Sequence, residues 1–134
     1  KEKFVFRIIG YEAADAKGYM EQLKARIAQF GVEENFRFDG YLDEIPWNEF
    51  NAFIHLVGSR EAYPVTLMEA LEHNLPTITS QGTGTEEIAL AHPKLMRVSG
   101  IGEAVSAIRL LMEFRPKSIK ACADEFTRLY EGLK

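Results

Sequence analysis

The stretch Ser59-Arg60-Glu61-Ala62-Tyr63-Pro64-Val65-Thr66-Leu67-Met68-Glu69-Ala70-Leu71-Glu72-His73-Asn74-Leu75-Pro76-Thr77-Ile78-Thr79-Ser80-Gln81-Gly82-Thr83-Gly84-Thr85-Glu86-Glu87 decides the fold. It reads as loop, helix, strand, loop, with polar groups gathered at the ends. The apolar run Phe53-Ile54-His55-Leu56-Val57 feeds it from the N-terminal side. Pro64 fits the first position of a helix, where the missing N–H costs nothing and the fixed φ is already helical. Leu67, Met68 and Leu71 form an inward stripe. Asn74 suits the left-handed conformation that closes a helix, and Pro76 prevents continuation. Pro76 to Thr79 then restarts a strand. Gly82 and Gly84 let a second loop pass close to a ligand.

The helix start carries the chemistry. The first four N–H groups of a helix lack intrahelical partners, and the macrodipole favours an anion there. Pro64 removes one donor, Val65 and Thr66 keep theirs, and Thr66 adds a hydroxyl. This is a phosphate seat at the carboxyl end of a strand, where open α/β sheets bind ligands. Glu61 precedes the seat and Glu69 falls on the second helical turn. A carboxylate facing a phosphate would repel it, so Glu61 is assigned to neutral hydroxyls. The plainer reading stands beside this one. An acid before a helix complements the dipole for about 0.3–1 kcal/mol, and a helical glutamate usually faces water.

Glu61 to Glu69 resembles the E-x7-E motif of retaining GT-B glycosyltransferases, especially glycosyltransferase family 4. The flanks are similar in order. Ser59-Arg60-Glu61 resembles the family's S-R-x-E, and Leu67-Met68-Glu69-Ala70-Leu71 its L-L-E-A-M helix. Asn74-Leu75-Pro76-Thr77-Ile78 stands where the family has G-x-P-V-V, and Thr83-Gly84-Thr85-Glu86-Glu87-Ile88 resembles G-G-x-x-E-I. The likeness runs from about Phe4 to Leu111. Two departures stand out: Pro64 where the family has glycine, and Thr83 in place of the first glycine of the last motif.

The resemblance implies an α/β fold, a Rossmann-like doubly wound parallel sheet with helices on both faces, as in the C-terminal half of GT-B. It implies a sugar transferred from an NDP-sugar donor with retention, no bound metal and no cofactor beyond that donor. By the same comparison Glu61 contacts the transferred sugar as the catalytic residue. Glu69 accepts bonds from the ribose, and Pro64, Val65 and Thr66 line the phosphate seat. Gly84 allows close approach, Gly10 stands in the family's glycine turn, and Arg60 is the basic residue nearest the motif. Gly40-Tyr41-Leu42 resembles a G-x-V turn that lies against the nucleotide base. Tyr41 either stacks on that base or covers the sheet edge, and covering is the plainer reading.

The 134 residues make one domain's worth of chain. We expect residues 1–134 to be a single donor-binding domain, a piece of a two-domain enzyme whose N-terminal acceptor domain is absent, together with an arginine and a lysine that the family uses on phosphate. The isolated chain is expected to be inactive. Composition is 46% hydrophobic and 27% charged, ordinary for a soluble globule. The net charge of −4 argues against a nucleic-acid partner. No apolar run reaches transmembrane length, so direct membrane insertion is not expected. A lone Cys122 fits a reducing, cytoplasmic setting, with any contact to the cytoplasmic face of a membrane coming from the absent half. His55, His73 and His92 lack metal-ligand spacing.

Further elements follow from patterning. Lys3 to Ile9, Asn35 to Asp39, Ala52 to Val57 and Lys94 to Val98 read as strands. Asp15 is expected to cap a helix from Ala16 to Phe30, with Tyr19, Leu23, Ile27 and Phe30 inward and Gly31 closing it. Pro46 opens a short helix in which Trp47 is a core anchor. Glu86 to Ala91, Gly102 to Phe114 and Lys117 to Leu133 complete the helices. Val105, Ile108, Leu111 and Met112 are expected to face inward. Two other functions fit the same fold: a non-catalytic sugar-nucleotide-binding or interaction module, and a nucleotide-sugar epimerase.

Overall fold

A computed structural model describes residues 5–56, 64–92 and 95–113. The chain divides into two compact units, Lys1–Ile45 and Pro46–Lys134.

In the first unit, β1 (Phe6–Ile9) and β2 (Phe36–Gly40) pair in parallel. Helix α1 (Tyr19–Gln29) connects them. Phe6 stacks on Phe36 at 5.1 Å, and the Lys24 ammonium of α1 lies 5.0 Å above the Phe38 ring. The helix therefore covers the phenylalanine side, and alternation puts Arg7 and Arg37 on the other. Ile8 pairs with Phe38 but Ile9 pairs with Gly40, so Asp39 is the extra residue of a bulge.

The expected cap at Asp15 is not made. A single 3₁₀ turn occupies Ala14–Ala16, and α1 starts at Tyr19 behind Gly18, whose φ is 90°. Glu12 supplies the carboxylate instead, accepting from the Met20 N–H at 2.7 Å. Gly31 closes the helix at φ 63°, as expected. The inward stripe is narrower than expected. Ile27 is buried and Leu23 half-buried, but Tyr19 is 61% and Phe30 68% exposed. Tyr19 is the first residue of the helix and Phe30 already its cap, so both lie at ends that a two-stranded sheet does not reach.

In the second unit, β3 (Phe53–His55), β4 (Thr77–Ser80) and β5 (Met96–Val98) form a parallel sheet in that order. Helices α2 (Val65–Glu72), α3 (Thr83–Ala91) and α4 (Ile101–Glu113) follow the three strands in turn. Ile54, Ile78 and Met96 are in register and so share a face. That face packs against Ala104, Ala107 and Leu111 of α4. Phe53 alternates to the other face, with Leu67 and Met68 of α2 and Ile88 of α3. Helices thus lie on both faces, which is the doubly wound arrangement expected. Trp47 is buried as an anchor, its ring 5.6 Å from Phe53 and 5.7 Å from His73.

Three details differ from expectation. Pro64 is the cap of α2, with φ −81° and ψ 94°, and not its first helical residue. Helix α3 starts at Thr83, three residues early, because the Thr85 side chain closes its first turn. On α4, Leu111 is buried and Ile108 half-buried, but Val105 and Met112 are exposed, and the alanines Ala104 and Ala107 take the inner positions. Asn74 closes α2 with φ 57°, as expected. Residues 117–133, Cys122 among them, lie outside the described residues.

Candidate functional site

The described site residues fall into two groups, one in each unit. In the second unit they stand at the carboxyl end of the β3–β4 pair. Pro64 accepts from the Leu67 and Met68 N–H groups at 3.1 and 3.3 Å, which sets the first turn of α2. Pro64 is buried, while Val65 and Thr66 are exposed. Their N–H groups belong to the turn that has no preceding carbonyl to bond. Glu69 is exposed one turn on, with its side chain in water. Glu61 and Arg60 lie outside the described residues.

The next loop leaves β4 at the same end of the sheet, because β3 and β4 are parallel neighbours. The Thr85 hydroxyl, buried at 1% exposure, organises it. It donates to the Gly82 carbonyl at 2.8 Å and accepts from the Gly82 N–H at 3.0 Å. Gly84 is buried in the first turn of α3 rather than in a loop before it. The glycine pair therefore acts at a helix start, the same type of anion-favouring end as α2. Sequence reading missed Thr85. The threonine three residues after Gly82 was the available signal, since a hydroxyl at the third helical position reaches back to the cap.

Beneath these loops the sheet carries a polar row. Thr79 donates to the His55 carbonyl at 3.0 Å, and its oxygen lies 3.3 Å from His55 Nδ1. Thr77 donates to the Leu75 carbonyl at 2.9 Å. His55 is thus tied into the sheet, in keeping with a structural histidine. Among the described residues no group of three His, Cys, Asp or Glu side chains could hold a metal ion. Nor is any helix among them long and apolar enough to cross a membrane.

In the first unit, Gly10 and Tyr41 come together at the carboxyl end of β1 and β2. Gly10 has φ 139° and donates to the Gly40 carbonyl at 2.8 Å, and Gly40 has φ 71°. Both are positive-φ positions that favour glycine. Tyr41 lies beside Tyr11, with ring centroids 5.9 Å apart and planes at 61°. Just below, the Asp39 carboxylate accepts from Arg7 Nε and pairs with Arg37 Nε, each at 2.6 Å. Burial raises the Asp39 pKa, but the hydrogen bond and charge of Arg7, with Arg37 added, outweigh it and leave the group below its ordinary value.

Two solved structures share this fold. One is Anabaena Alr3699/HepE in complex with UDP, at TM-score 0.78 and 16% identity, covering 96% of this chain and 36% of that one. The other is WaaG, a glycosyltransferase involved in lipopolysaccharide biosynthesis, at TM-score 0.72 and 16% identity, covering 97% and 34%. The chain thus spans about a third of the length of either structure. No curated protein matches the sequence closely enough to count as a relative. The sequence profile of the group 1 glycosyl transferases matches residues 1–125. With nearly the whole chain matched and the Rossmann-like fold of the GT-B C-terminal half in place, the protein belongs to the glycosyl transferases group 1 family.

Proposed function

We propose that this chain is the donor-binding part of a retaining glycosyltransferase that takes its sugar from an NDP-sugar. The observation that carries the reading is the meeting of two helix starts at one end of a parallel sheet: α2 behind β3 and α3 behind β4. A helix start leaves N–H groups without intrahelical partners and has a favourable dipole, which suits a diphosphate. The UDP present with the Anabaena structure supports a nucleotide as the ligand. Val65 and Thr66 line the phosphate seat with Pro64 as its buried cap, and Gly84 stands at the second helix start. Glu69 accepts from the ribose hydroxyls. In this reading Glu61 is the catalytic residue, serving hydroxyls of the transferred sugar, and Arg60 is a donor-binding residue. In the first unit, taken by itself, Gly10 and Tyr41 offer a surface to a nucleobase. The acceptor is held by a further domain of the same enzyme, so the chain alone binds donor without transferring sugar, in the cytoplasm.

Amide NMR of the labelled chain, titrated with UDP, GDP and ADP, tests this. We expect shifts centred on Val65, Thr66, Glu69, Gly84, Gly10 and Tyr41, at ligand concentrations reaching millimolar. A charged acceptor contributes about 1.5–3 kcal/mol, so Glu69→Ala should weaken the bound nucleotide roughly ten- to hundredfold. Equal affinity of the variant would remove the ribose role. The cap proline where the family has glycine favours one other reading, an interaction module that has kept the fold. Silence toward all three nucleotides, repeated on a longer protein carrying the strand-loop that precedes Phe4, would favour that module.

A further inference from the structure

Tyr11 is one of the most exposed large side chains of the first unit, at 75%. Tyr41 beside it is 65% exposed. Two large exposed rings set against each other are an uncommon use of aromatic surface. Both follow a glycine in the left-handed region, Gly10 and Gly40, and the Gly10–Gly40 hydrogen bond fixes the two turns to each other. The pair sits past the carboxyl ends of two parallel strands, the side on which open α/β sheets take ligands. The edge-to-face contact at 5.9 Å and 61° uses only part of each ring.

We infer that Tyr11 is a positioning residue that holds the Tyr41 ring, through this edge-to-face contact, in the plane a nucleobase stacks on. The inference rests on the donor-binding reading and adds to it the partner that orients the base-side ring. A free Tyr41 at this exposure would sample several side-chain rotamers and would have to be ordered when a base arrives, which weakens binding. Tyr11 removes part of that loss beforehand. Only its ring is needed, so its hydroxyl is dispensable.

The test compares Tyr11→Ala, Tyr11→Phe and Tyr41→Ala, with UDP and inorganic pyrophosphate as probes. Without ligand, Tyr11→Ala should shift the Tyr41 ring proton resonances and Tyr11→Phe should leave them close to the wild type. With UDP, Tyr11→Ala should weaken binding about threefold, in line with the strength of one aromatic pair, and Tyr11→Phe should not. Pyrophosphate, which has no base, should bind all variants alike. In the Tyr41→Ala background, Tyr11→Ala should have no further effect. A Tyr11→Ala loss that persists without Tyr41, or that extends to pyrophosphate, overturns the inference while leaving the donor reading intact. A wild-type chain that binds pyrophosphate and no nucleotide overturns both. Unchanged Tyr41 resonances in Tyr11→Ala overturn it irrespective of any ligand.

Discussion

Asp39 shows how one residue can join two strands at a site. As the extra residue of a bulge it is free of the ladder, and its carboxylate reaches Arg7 on β1 and Arg37 on its own strand. Its side chain is 5% exposed, while that of Arg37 is 65% exposed, so the Arg7 contact carries most of the energy. A carboxylate whose folded pKa lies below its unfolded value contributes stability that is present above the unfolded value, near 3.8. That stability is lost as pH falls through the folded pKa. Asp39→Asn should therefore cost roughly 1–2 kcal/mol at neutral pH. It should cost progressively less as pH falls below about 4. Urea unfolding midpoints measured at pH 7 and pH 3 would check the sign. A deficit that grew on acidification would contradict it. Thr85 acts at the same scale, since one buried hydroxyl decides where α3 begins.

At the scale of elements, α4 is the clearest departure from pattern reading. Large apolar residues suggested Val105 and Met112 as inward, yet the helix turns Ala104, Ala107 and Leu111 to the sheet. Small side chains let the backbone approach Ile78, Met96 and Val98 closely, with Leu111 and Ile108 packed beside them, while Val105 and Met112 are left outside. The two sides should therefore respond oppositely to bulk. Ala107→Leu, at a fully buried position, should destabilise by about 1–3 kcal/mol through overpacking. Val105→Gln should change stability by no more than about 0.5 kcal/mol. Thermal or urea midpoints of the two variants would measure this, and a larger loss at Val105 would reverse the assignment. Helix α2 behaved as its pattern suggested, with Leu67 and Ala70 buried and Met68 and Leu71 against the same cluster. Asn74 ends it in the conformation its side chain tolerates.

At the scale of the whole chain, charge sets a condition on the proposed ligand. A chain of net charge −4 must hold a diphosphate against its own overall field. In the proposed site the local helix starts supply the attraction, with no role for a divalent ion. Nucleotide-induced amide shifts should accordingly persist in EDTA and survive unchanged on adding magnesium. Shifts that vanish with EDTA would require a metal in the donor site.

The α/β class, the strand–helix alternation and the signals ending α2 were determined by the sequence alone. They depend on local causes: apolar runs of strand length, a proline that cannot continue a helix, an asparagine that tolerates positive φ. The motif order carried the family in the same way, because motif spacing is a property of the chain. Sequence pattern placed Ile108 and Leu111 of α4 inward, but tertiary structure decided that Ala104 and Ala107 join them in place of Val105 and Met112, since that depends on how closely two backbones approach. It also decided that Tyr11 meets Tyr41. The two are separated by thirty positions in the chain (41 minus 11) and joined only by the parallel pairing of β1 with β2. No local pattern encodes a contact of that range. It exists because two strands lie side by side and carry Tyr11 and Tyr41 just past their ends.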